Sequence, residues 1–119
     1  MLVSSLYSQP VTTNPEFITE NDSIIIYFNA TEGDFGLQGF TGDVYAHTGV
    51  ITNLSIDSHD WKYVMAPWAT NYDDIKLIRD SLDHYHLVIG KPRVYYSNNH
   101  QNLGPIPPGE QIQKLAFVF

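Results

Sequence analysis

The sequence predicts an all-β fold, an antiparallel β-sandwich, and three observations carry that expectation. Short runs rich in β-branched and aromatic residues recur along the chain. Gly-, Asn- and Pro-rich turns separate them at short intervals. No long stretch keeps apolar residues at helical spacing. At 119 residues the chain suits one domain with one core. Its composition, 43% hydrophobic and 16% charged, excludes a wholly disordered chain.

The elements follow in order. Residues 1–15 read as an extended lead-in, because Pro10 and Pro15 fix extended backbone and the Ser, Thr and Asn around them disfavour helix. The module proper runs over residues 16–119. Ser23–Asn29 is the first clear strand, with Ile24, Ile26 and Phe28 on the core face. Four glycines between Thr31 and Gly42 mark a loop. Asp43–Ile51 is the next strand, and Trp61–Met65 a third, with Trp61, Tyr63 and Met65 sharing a face until Pro67 closes it. Between Asn71 and Leu82 two readings stay open: one or two helical turns on Ile75, Ile78 and Leu82, or a short strand over 75–78. His84–Ile89 alternates, with Tyr85, Leu87 and Ile89 inward. Pro92 and the tract Ser97–Pro108 mark a long loop. The last strand, Lys114–Phe119, alternates on Leu115, Phe117 and Phe119. The apolar final residue reads as a cut, so the module is expected to come from a longer chain.

Charge and cysteine narrow the function. The net charge is -7, and the six basic residues, Lys62, Lys76, Arg79, Lys91, Arg93 and Lys114, are scattered singly. A polyphosphate partner needs clustered cations, so nucleic acid and anionic membrane surfaces are poor partners. Without cysteine there is no disulfide framework, thiolate nucleophile or zinc knuckle. No run is long enough for membrane insertion. Met1–Ser5 has neither a basic region nor an apolar run, so either the protein is cytosolic or a signal peptide lies upstream and is removed.

Aromatic side chains are the strongest candidates for binding. A sugar ring presents a face of C–H groups that a flat aromatic ring can cover while the hydroxyls stay wet. Trp61, Tyr63, Trp68, Tyr72, Tyr95 and Tyr96 are available. Sandwich cores commonly bury a tryptophan, so core packing is the preferred reading of Trp61. Trp68, between Pro67 and the polar segment Ala69–Tyr72, is open to an exposed, binding role or to a packed one. Asn71 and Tyr72 could hydrogen-bond hydroxyls beside it. Tyr63 and Trp61 complete the candidate platform.

Catalytic readings are weaker. His47 lacks a neighbouring nucleophile and reads as a satisfied, partly buried histidine. His84 and His86 share a strand face, yet a third metal ligand is missing and a solvated face is preferred. Glu32 with Asp34 and Asp73 with Asp74 offer oxygen ligands without the spacing of a dedicated calcium loop. No carboxylate pair suggests glycoside cleavage. The chain is therefore expected to be noncatalytic and to need no cofactor. Sequons at Asn21, Asn29 and Asn53 matter only in a eukaryotic secretory pathway.

The run Gly42–Thr52, followed by Asp60–Val64, Trp68 and Leu115–Phe119, resembles the small immunoglobulin-like modules of secreted Bacteroidetes proteins. These are often found beside glycoside hydrolases of the α-amylase class. The segment Ile24–Ala30 before a Gly-rich loop is also similar to theirs, and the resemblance spans about Pro15 to Phe119. The loop Ser97–Pro108 is longer than the family pattern. The resemblance implies an immunoglobulin-like sandwich serving as an accessory module, similar in role to starch-binding modules. Its partners would be an α-glucan polysaccharide and a neighbouring catalytic domain, in a secreted, periplasmic or cell-surface bacterial protein. The alternative is a structural spacer whose aromatics are core or interface anchors.

Overall fold

A computed structural model describes residues 11–14, 22–31 and 37–119. The all-β expectation holds: the chain folds as two antiparallel sheets around a shared core. The larger sheet has β1 (Val11–Asn14), β2 (Ile24–Asn29), β4 (Ile78–Ser81) and β5 (His84–Gly90), in the order β1-β2-β5-β4. The smaller pairs β3 (His47–Thr52) with β6 (Ile112–Val118).

The strand period of two decides what is buried. In β2, Ile24, Ile26 and Phe28 point inward, and in β5 Tyr85, Leu87 and Ile89 meet them from the neighbouring strand. Val50 on β3 and Leu115 and Phe117 on β6 close the core from the other sheet. Burying each of these side chains contributes roughly 1.5–3 kcal/mol. The Phe28 and Phe119 rings stack at 4.2 Å and tie the two sheets together. The segments 44–46 and 75–77 also join them: Ala46 N–H donates to Ile75 O at 2.8 Å and Leu77 N–H to Val44 O at 2.8 Å.

Four details differ from the sequence reading. Within the extended lead-in, Val11–Asn14 is an edge strand, in register with Asn14 opposite Ile25; Pro10 and Pro15 lie outside the described residues, as do residues 32–36 of the Gly-rich loop. Trp61–Met65 is not a strand. Only Lys62 bridges to Val50, and Tyr63 takes a left-handed φ of 52°, which breaks the alternation after one pair. Around Asn71–Leu82 neither reading suffices alone: a single 3-10 turn, Asp73–Ile75, buries Ile75 and leads into β4, which starts at Ile78. Lastly, Pro92 opens a helix, α1 (Pro92–Ser97), instead of a loop. Proline at the first helical position lacks only an N–H that would be unpaired there anyway.

Helix α1 places Tyr96 in the core, where its hydroxyl shares a 2.8 Å hydrogen bond with Thr48, whose own hydroxyl also lies 2.7 Å from Ala116 O. The loop after it is stitched together by Asn99, whose side-chain oxygen accepts from Gln101 and Leu103 N–H. His100 N–H donates to Met65 O at 2.8 Å, which anchors this loop on the segment before Trp68.

Candidate functional site

The site forms where β3 begins and the segment after Met65 turns back across it. Pro67, Trp68, Ala69 and Thr70 make a tight turn closed by Thr70 N–H to Pro67 O at 3.1 Å. Ala69 holds a left-handed φ of 64° at the third position, where turns of this shape favour glycine. That geometry lifts Trp68 away from the core, and its indole is 65% exposed. It is nevertheless held, because it meets the His47 imidazole edge-on at 4.8 Å between ring centres. On another side His47 stacks with Trp61 at 5.8 Å. The contacts run in a row, Trp61 to His47 to Trp68, at the residue that starts β3.

Beside this row lies a cleft of about 190 Å³. Trp68, Pro67, Ile75, Val118 and Phe119 give it apolar walls, and His47, Thr70, Asn71 and Tyr45 bring polar groups. Its volume is below the roughly 300 Å³ at which sites for drug-sized ligands begin, so it suits a single ring. No charged side chain lines it among the described residues.

The sequence candidates divide here. Trp68 and Asn71 line the cleft, and Trp61 backs it through His47. Tyr63 and Tyr72 go elsewhere. The Tyr63 hydroxyl donates to Glu110 at 2.6 Å, and burial with this carboxylate pushes its pKa up to about 12. The Tyr72 ring stacks on His100 at 3.7 Å, nearly parallel, and His100 in turn pairs with the Asp74 carboxylate at 2.8 Å. Of the other tyrosines, Tyr96 is fully buried, and Tyr95 donates to Asp74 O at 2.5 Å. Burial raises the pKa of both.

His47 lines the same cleft. It is partly buried, as expected, but among the described residues neither ring nitrogen has a hydrogen-bond partner. Neither nitrogen is sealed from solvent. Its signal was the alternation of the strand: Ala46 and Thr48 are buried, so His47 must face the other way.

Of the remaining ionisable candidates, His86 and Asp74 find structural partners. His86 bonds both Asp80 oxygens, at 2.7 and 2.9 Å. Among the described residues no group of three or more His, Cys, Asp or Glu side chains is placed to hold a metal. Glu32, Asp34 and Asn21 lie outside the described residues. Glu110 is buried with one carboxylate oxygen on Tyr63 and the other on the Thr52 hydroxyl at 2.7 Å, which ties β3 to the loop before β6. A wider hollow of about 480 Å³ lies between Asp43 and Arg79. Its cations are engaged within the fold: Lys76 sits 3.5 Å from Asp43, and Arg79 donates to Gly42 O at 2.6 Å.

No family model matches this chain, and no curated protein matches it.

Proposed function

We propose that the chain is a noncatalytic accessory module that binds an α-glucan such as starch across Trp68, within an exported or cell-surface bacterial glycoside hydrolase. The observation that carries this reading is the exposed Trp68 indole, held by His47 above a cleft with apolar walls and a few hydroxyl and amide groups. Exposed large aromatics cost a protein solubility, and one that is also fixed in orientation suits a flat, partly apolar ligand. The C–H face of a glucose unit would cover the indole, and Asn71 and Thr70, which line the same cleft, offer polar groups to its hydroxyls. Covering about 100 Å² of apolar surface contributes about 2.5 kcal/mol before ordering costs. The polymer and the bacterial setting come from the family resemblance of the sequence. Calorimetry with maltoheptaose on the wild type and on Trp68→Ala tests the reading.

A second reading, interdomain packing without sugar binding, draws on a different surface. Tyr27, Ile78 and Val88 are exposed on the outer face of the larger sheet, where a neighbouring domain of the same chain could cover them. Wild-type protein that binds no α-glucan would favour it.

A further inference from the structure

We propose that the His47 imidazole decides which ligands the Trp68 cleft accepts, by offering hydrogen bonds at its two ring nitrogens, and that it does so best as the neutral ring. The inference rests on the glucan-binding reading above and deepens it.

The geometry supplies an oriented polar group in apolar surroundings. Trp61 stacks on the imidazole at an interplanar angle of 26°, and Trp68 meets it at 76°, so the ring is gripped on two sides. Its nitrogens, unbonded among the described residues, are the polar atoms that these contacts orient. A neutral imidazole carries one N–H donor and one lone-pair acceptor, whereas the imidazolium carries two donors and no acceptor. Each hydroxyl of a sugar ring can donate and accept, so hydroxyls can satisfy both nitrogens in either form, but a ligand that covers the imidazolium must also strip water from a charge. A flat ligand without hydroxyls would strip water from those nitrogens and give nothing back, which is the basis on which such a site rejects it.

The surroundings favour the neutral ring. Tyr45 is the only other titratable side chain among the described residues lining the cleft. Opposite His47 in the sheet is the apolar Val118. The charges flanking Trp61, Asp60 and Lys62, pair with each other at 3.7 Å. Burial lowers the imidazole pKa below its ordinary 6.5. At neutral pH the ring therefore carries no charge for a ligand to desolvate, and acidification gives it one.

The test is maltoheptaose affinity by calorimetry from about pH 8 down to about pH 5, the range in which histidine changes charge, with a melting curve for every variant. Loss of one hydrogen bond is worth about tenfold in affinity. Wild-type affinity is expected to fall about tenfold across the range. His47→Phe keeps a ring between the indoles but loses both nitrogens, two hydrogen bonds; it should bind about a hundredfold more weakly than wild type at the upper end and show no pH dependence. His47→Gln keeps a donor and an acceptor and does not titrate, so it should bind with constant affinity. Wild-type affinity that does not change with pH, or a His47→Gln profile as steep as that of wild type, overturns the inference while leaving glucan binding intact. A wild type that binds no maltoheptaose at any pH overturns the glucan reading itself and this inference with it.

Discussion

The Tyr63 hydroxyl donates a 2.6 Å hydrogen bond to Glu110, whose other carboxylate oxygen accepts from Thr52 at 2.7 Å. This ring is a strut between the segment after Trp61 and the loop before β6. Tyr63→Phe leaves one oxygen of a buried carboxylate without its partner and should cost about 1–3 kcal/mol in chemical denaturation. Maltoheptaose affinity should be unchanged in the same protein. Ultraviolet titration of the wild type should show one phenol ionising near about 12, and Tyr63→Phe should remove it.

Gly49 is a close-approach position. A Cβ there would lie 2.9 Å from Val64 Cγ2 and 3.1 Å from the Lys62 carbonyl, which is already bonded to Val50 N–H. Since the carbonyl cannot retreat without losing that bond, Gly49→Ala should destabilise the fold by about 1–3 kcal/mol. The measurement is the shift in denaturation midpoint at unchanged slope.

Ala69 keeps its left-handed backbone at a cost, because its Cβ crowds the neighbouring carbonyl. Ala69→Gly relieves that strain but frees the unfolded chain, and the balance should be a gain of up to about 1 kcal/mol. If the turn exists to hold Trp68 still, the same variant should bind glucan more weakly despite its higher melting temperature.

His47 makes stability depend on pH in a defined direction. Its folded pKa lies below 6.5, so between the two values the unfolded state binds more protons and stability rises with pH. The contribution is present above pH 6.5 and is lost as pH falls through the folded pKa. Denaturation series across this window should give a smaller pH slope for His47→Gln than for wild type. An identical slope would mean that burial of His47 does not set it.

Much of the core was legible because one physical rule, alternation on a half-buried strand, governs both β2 and β5. Ile24, Ile26 and Phe28, and Tyr85, Leu87 and Ile89, are buried as their spacing predicts. The same rule failed over Trp61–Met65 because the left-handed residue at Tyr63 rotates the chain, and left-handed backbone at a tyrosine has no sequence signature. Helix α1 escaped notice because six residues are too few to show a period. Of the two readings left open for Trp68, its exposure agrees with the polar, Pro-led context. Tyr63 and Tyr72 were not separable from Trp68, since their partners Glu110 and His100 come from distant parts of the chain. His47 is partly buried, as a histidine inside a strand suggests, but its contacts with two indoles could not be read from the sequence, because Trp61 and Trp68 lie 14 or more residues away along the chain.

The most direct test of the account is maltoheptaose binding by calorimetry to wild type and Trp68→Ala, with a melting curve for each. The exposed indole contributes contact and little stability, so the variant should lose about thirtyfold in affinity, or about 2 kcal/mol, at an unchanged melting temperature. Equal affinity in the two proteins, or no binding by the wild type, would contradict the claim that Trp68 is the binding platform.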